Sequence, residues 1–183
     1  GLADNAKTAR SIVEGNTAIT SAIVKEGVEV IGNRTFRKCS ALETITLPNT
    51  LTEIEQGAFQ SCSSLNTCVI PASVQVIGQG AFAECKSLTE IVIPDGVTRI
   101  EKDTYRATGV EEMVIPASIT YIGDYAFRDC YSMRKLYIMA DNLDHISSDA
   151  LLWAANPDKT ARLTVYVKNE TVRQQVEAVF GSN

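Results

Sequence analysis

One interval governs this chain: Ile31, Ile54, Ile77 and Ile100 stand 23 residues apart, and Ile122 and Ile146 extend the row after steps of 22 and 24. A second row is aromatic, running through Phe36, Phe59, Phe82, Tyr105 and Phe127 to Leu151. Cys39, Cys62, Cys85 and Cys130 make a third, and Pro48, Pro71, Pro94 and Pro116 a fourth. A recurrence with a period of about 20 to 50 residues marks stacked units, none of which can bury its apolar face alone. The spacing therefore predicts a single solenoid, although 183 residues could hold two ordinary domains.

Three segments can be separated within a unit. Leu65-x-x-Cys68-x-Ile70, Leu88-x-x-Ile91-x-Ile93 and Val110-x-x-Met113-x-Ile115 end in strict alternation, the pattern of a strand with one face buried. The proline that follows lacks a backbone donor and ends the strand. Val74-x-x-Ile77 predicts a short extended piece on a second face. Ala81-Phe82-x-x-Cys85-x-x-Leu88, apolar at intervals of three and four, predicts a single helical turn that brings the chain back. The expected class is α/β: one solenoid with a parallel main sheet, short second-face strands and helical turns, capped at both ends.

The expected boundaries are an N-terminal cap over 1–18, repeats over 19–167 and a C-terminal helical cap over 168–183. Ala3, Ala6, Ala9, Ile12 and Val13 suggest a short helix at the first end, and Val172, Val176, Val179 and Phe180 an amphipathic one at the last. Thr108-Gly109-Val110 shortens one unit by a residue, and Gly109 can supply the backbone angle such a coil needs to close. Met139 replaces the proline of the next unit, and the loop 152–161 expands before a final strand at Leu163, Val165 and Val167.

Charge and cysteine content exclude several functions. With 17 basic against 22 acidic residues, and no basic cluster beyond Arg37-Lys38 and Arg134-Lys135, the chain lacks the footprint of nucleic-acid binding. No apolar run is long enough to span a bilayer. No basic stretch with an apolar core opens the sequence, so any secretion signal is expected to have been removed, and Gly1 before Leu2-Ala3-Asp4 reads as a trimmed start. The five cysteines are odd in number and mostly spaced at the repeat period, which predicts buried free thiols rather than a disulfide framework.

The consensus L-x-x-I-x-I-P-x-x-V-x-x-I-G-x-x-A-F-x-x-C, nearly intact from Leu65 to Cys85 and again from Leu88, resembles the BspA-like (Treponema-type) leucine-rich repeats of bacterial surface proteins. Val165-Tyr166-Val167-Lys168-Asn169-Glu170 followed by a helix is similar to the C-terminal closure of such proteins from gut anaerobes. The resemblance runs from Ile19 to Phe180. It implies an extracellular or cell-surface protein that adheres to host or neighbouring-cell proteins.

No catalytic constellation accompanies the repeat. His145 is the sole histidine, with Asp144, Asp149, Ser147 and Ser148 near it, but no G-x-S-x-G surrounds either serine, and a loop histidine is the simpler reading. Asp141-Asn142-x-Asp144 holds calcium-type oxygens without the glycine and distant glutamate of an EF-hand. No enzyme, metal or cofactor is expected. The repeat instead offers a surface. Alternation turns Ile23, Thr46, Val69, Val92, Val114, Tyr137 and Tyr166 outward as an apolar stripe, flanked by Glu43, Glu90, Glu111 and Glu112 and then by Arg134 and Lys135. Strand propensity alone could account for these residue types. Tyr121, Tyr125 and Tyr131, with Tyr137, form a second candidate patch, or else cover the shoulder where the last loop departs. The expected function is a protein-binding module with a protein or peptide partner; the alternative is a structural spacer with no ligand of its own.

Overall fold

The computed structural model describes residues 8–9, 13–154 and 162–181. The first strands are β1 (Thr8–Ala9), β2 (Ser21–Ile23), β3 (Val30–Ile31), β4 (Thr44–Thr46), β5 (Glu53–Ile54), β6 (Thr67–Cys68) and β7 (Val76–Ile77). There follow β8 (Arg99–Ile100), β9 (Glu112–Ile115), β10 (Tyr121–Ile122), β11 (Lys135–Ile138), β12 (His145–Ile146) and β13 (Thr164–Val167), then the helix α1 (Glu170–Phe180). Every pairing is parallel, and each strand joins one about a repeat away, so the chain winds as a solenoid. The main face carries β2-β4-β6 and β9-β11-β13; the second face carries β1-β3-β5-β7 and β8-β10-β12.

The rows of the sequence are the core. Ile31, Ile54, Ile77, Ile100 and Ile122 are buried, as are the aromatic residues from Phe36 to Phe127. The rings stack face to face along the axis, with centroids 5.3 to 5.9 Å apart. All five cysteines are free and buried. Their thiols also bridge coils: Cys62 donates to the Phe36 carbonyl, Cys85 to that of Phe59 and Cys130 to that of Tyr105. At the shortened unit Thr108 takes the cysteine's place, and its hydroxyl donates to the Tyr105 carbonyl at 2.9 Å.

The return segment differs from the expected helical turn. Alternate amides there donate forward to the next coil: Gly80 to the Lys102 carbonyl, Phe82 to Thr104 and Glu84 to Arg106. The amides between them close tight turns, Ala81 onto Gly78 and Ala83 onto Gly80. A helix would direct every amide inward along its own axis and leave neighbouring coils unbonded. Left-handed residues four positions apart produce the alternation: Arg34 and Lys38, Gly57 and Ser61, Gly80 and Glu84, Asp103 and Ala107, Tyr125 and Asp129. The result is a third ladder of hydrogen bonds, on a turn face. Among the described residues α1 is the single helix.

At the N-terminal side Thr8 and Ala9 pair in parallel with Val30 and Ile31, so the expected helix does not run through them. Val13, the last residue of that expected helix, lies in a bend and packs against the core, so no helix passes through it either; Ala3, Ala6 and Ile12 lie outside the described residues, as does most of the expanded loop. Met139, standing where other units have proline, uses the amide that proline lacks to donate to the Ile115 carbonyl at 2.9 Å. Helix α1 begins where the Asn169 side chain accepts from the Val172 amide, a capping bond that satisfies one otherwise free donor. Its Val172 is buried, and Val176 and Phe180 pack against the core beside Leu163, Val165 and Val167.

The two sheets share a discontinuity. On the main face the coil 88–94 supplies no strand, and on the second face β7 does not pair with β8. Elsewhere each coil opens its main-face rung with one recurrent bond: Glu43 to Thr20, Asn66 to Glu43, Arg134 to Glu111. The equivalent bond from Thr89 to Asn66 is missing, and that from Glu111 to Thr89 is long at 3.3 Å. The turn ladder and the aromatic stack cross the same level unbroken. The solenoid is thus seamed on two faces and continuous on the third.

Candidate protein-binding face

Strand alternation and register build the outer main face. Pairing sets Ile23 beside Thr46 on β2 and β4, and Val114 beside Tyr137 and Tyr166 on β9, β11 and β13. Val69 and Val92 stand between them, 75% and 78% exposed, and Ile23 is 72% exposed. These side chains lie mostly in solvent. At about 4.8 Å per rung the seven positions make a stripe about 30 Å long. The C-terminal end is firmer, because the rings of Tyr137 and Tyr166 stack with centroids 4.7 Å apart.

The polar flank divides by pairing. Register opposes Lys135 to Glu112, and the ammonium meets the carboxylate at 2.7 Å. That hydrogen bond holds Lys135 above its usual pKa. Such an exposed pair, screened by water and salt, contributes little stability. Arg134, Glu90 and Glu111 are exposed beside it. A groove of about 750 Å³ opens over the seam, lined by Thr89 to Ile93, Asp95, Glu111, Glu112, Val114 and Pro116.

The tyrosines of the second candidate patch are not brought together. Tyr121 lies on β10 of the second face, Tyr125 holds a left-handed turn position, and Tyr137 belongs to the main face. Tyr131 is exposed beyond the turn ladder, its hydroxyl donating to Asp129 Oδ1 at 3.1 Å. One unit of a solenoid visits all three faces, so closeness in sequence does not place side chains on one of them. The sequence reading missed a second-face stack in which the Arg99 guanidinium lies 3.7 Å over Tyr121, whose ring stacks on His145 at 4.8 Å. Positions 99, 121 and 145 are equivalent in the repeat, and that equivalence was the available signal.

His145 belongs to this stack. Ser147 donates to Asp124 Oδ1 at 2.6 Å. Asp141 pairs with Lys168 at 2.6 Å, and Asn142 bonds to Asp144 and accepts from Gln175. Among the described residues no cluster of three or more His, Cys, Asp or Glu forms a metal site, and no helix is long and apolar enough to cross a membrane.

Parallel coils with inward aliphatic, aromatic and cysteine rows, and an outer face of unengaged apolar side chains, define a leucine-rich-repeat solenoid, a class whose members are in general protein-interaction modules. The chain belongs to the BspA type leucine rich repeat region family, whose model matches in six copies over residues 12–150. No curated protein sequence matches it. Among solved structures it is similar to a leucine-rich repeat protein of Bacteroides ovatus, with 28% identity and a TM-score of 0.63 over 71% of this chain and 35% of that one. A leucine rich repeat protein of T. pallidum shares 31% identity at a TM-score of 0.47, over 68% of this chain and 48% of that one. The pneumococcal vaccine antigen PcpA agrees in fold, with 14% identity and a TM-score of 0.50 over 86% of this chain and 65% of that one. The chain thus spans between about a third and a half of the first two proteins it resembles.

Proposed function

We propose that the chain is a non-enzymatic, exported or cell-surface binding module that adheres to host or neighbouring-cell proteins through the outer face of its main sheet. The observation that carries this reading is the row of Ile23, Val69, Val92 and Val114, exposed at equivalent positions of successive repeats. Leaving such a side chain in water forgoes up to about 1.5 to 3 kcal/mol that burial against a partner would recover. Contiguous exposed apolar surface of this kind marks interaction sites. Tyr137 and Tyr166 add a rigid stacked pair with polar tips, the composition favoured at interface centres. The surface location rests on the likeness of the repeat to BspA-like proteins.

The test is a titration against immobilised fibronectin, laminin and collagen, comparing the native chain with a Val92→Glu, Tyr137→Glu variant. Two buried charges without partners should weaken a complex centred on this face by at least about a hundredfold. Binding that survives both substitutions would remove the face from consideration. Absence of any partner across a wide panel would favour a spacer.

A further inference from the structure

At the C-terminal end of the turn face, aromatic rings and a polar pair converge on an arrangement that the repeat does not require. The left-handed column of Lys38, Ser61, Glu84, Ala107 and Asp129 ends at Trp153, which holds φ at +58° and is 55% exposed. A bulky residue at that angle is unfavourable, and the rest of the column shows that a small or polar side chain serves the turn. Asp129 is its neighbour one coil earlier, tied by the bond from the Asp129 amide to the Leu152 carbonyl at 3.1 Å. The Arg128 guanidinium lies 5.2 Å over Trp153 and 5.1 Å over Tyr125, so ring faces hold the cation in place. Asp129 Oδ2 stands 3.4 Å from Arg128 Nε, and Oδ1 accepts from the Tyr131 hydroxyl at 3.1 Å.

Hydrogen bonding at this point is incomplete. Arg128 Nε is shut off from solvent and has no hydrogen-bond partner, a costly state for a polar group. Among the described residues, neither its terminal amino groups nor the Trp153 indole N–H donates to any other group. The arginine side chain is 32% exposed, so those amino groups can be reached from outside. Donors from Arg128 and Trp153 and an acceptor from Asp129 therefore surround an exposed apolar ring. Arg128 and Asp129 offset each other's charge, and the cluster favours neither ionic sign. The chemistry it matches is an uncharged molecule with a flat C–H face and a rim of hydroxyls.

We propose that Trp153, Arg128 and Asp129 form a saccharide site that takes a neutral β-linked pyranoside, its C–H face on the indole and adjacent hydroxyls accepting from Arg128 and donating to Asp129. A hydroxyl both gives and takes a hydrogen bond, so two vicinal ones suit a guanidinium and a carboxylate set side by side. A ligand that draws Arg128 onto Asp129 would also give Nε its acceptor. Tyr131 orients Asp129, and the indole offers a large rigid contact. The site lies on a different face from the apolar stripe and does not depend on it. One module would thus hold a protein by its main face and a glycan by its turn face.

Trp153 is the only tryptophan of the chain, so its fluorescence and its indole N–H resonance report on this site alone. The probes are cellotetraose and lactose, with tetragalacturonic acid and inorganic phosphate as anionic controls. The neutral sugars should shift both signals saturably, with little effect of salt. Binding followed by saturation-transfer NMR should weaken about tenfold or more in Arg128→Gln and in Asp129→Asn, and vanish in Trp153→Gly. The glycine variant separates binding from structure: glycine suits the left-handed angle, so Tm should hold or rise as binding disappears. Val92→Glu, Tyr137→Glu should bind the sugars as the native chain does. No saturable shift with either neutral sugar, tighter binding of the acid or of phosphate, or unaltered sugar binding in Trp153→Gly would each overturn the inference. Inert sugars together with lost protein binding in Trp153→Gly would overturn it too, and would assign Trp153 to the protein interface.

Discussion

Removing the ring at the centre of the aromatic stack should be the most damaging single truncation in the repeat. Phe82 is fully buried, with ring centroids 5.3 Å from Phe59 and 5.9 Å from Tyr105. Phe82→Ala deletes its burial and leaves a cavity that coils fixed by the turn ladder cannot close, a cost of about 3 to 5 kcal/mol. Part of that loss is specific to the rings, since each stacked pair is worth about 0.5 to 1.5 kcal/mol beyond area. Phe82→Leu separates the two contributions. It keeps most of the apolar volume but breaks both stacked pairs, and should cost about 1 to 2 kcal/mol. Leu151→Ala, half-buried at the end of the row, should cost less than Phe82→Ala. Urea unfolding followed by circular dichroism would read these as shifts in midpoint at constant m. Equal losses for Phe82→Ala and Leu151→Ala, or a neutral Phe82→Ala, would refute a continuous core that is loaded most heavily at its middle.

The thiols give a pH signature. Burial raises Cys62 and Cys68 from the ordinary 9.0 to about 12. Below pH 9 both folded and unfolded states keep these protons and stability is flat; from about pH 9 to 12 the unfolded chain releases them first. Stability should then fall by up to about 1.4 kcal/mol per pH unit for each thiol, seen as a falling Tm. A Tm constant across that window would contradict their burial, as would alkylation of the native protein at pH 8. Gly80 holds φ at +63°, so Gly80→Ala should cost about 1 kcal/mol. Gly109→Ala should cost more, because a Cβ there would lie 2.3 Å from the Lys86 carbonyl oxygen; equal midpoints for the two variants would contradict this close packing. Deleting residues 169–183 strips α1 from Leu163, Val165 and Val167 and frees the outer edge of β13, so the truncated chain should self-associate. A fully folded monomer with unchanged Tm in analytical ultracentrifugation would show that α1 closes nothing.

The rows that repeat most strictly were the most legible in the sequence. Ile31 to Ile122, Phe36 to Phe127 and the periodic cysteines each occupy one inward position, and their burial follows from period alone. The outward stripe was legible for the same reason, as the alternate residue of each strand. The return segment was misread because apolar residues at intervals of three and four serve a helix and a chain of tight turns equally. The left-handed φ angles that decide between them fall mostly on Arg34, Lys38, Ser61, Glu84 and Asp103, which carry no glycine signal. The seam was invisible for a different reason. Leu88, Ile91 and Ile93 keep the strand pattern and are buried, yet the main chain of Ile91 and Ile93 is unpaired, and pairing between coils depends on spacing that no single unit encodes.

The central claim, that the outer main face is where a partner sits, is tested most directly by a hydrogen-exchange footprint. The protein would be exchanged alone and with the tightest binder found in the titration. The account predicts slowed exchange on the main face, strongest over residues 89–93 and 112–115, with the turn face around Gly80 and Glu84 unchanged. Slowing confined to the turn face, with the main-face strands unaltered, would contradict it.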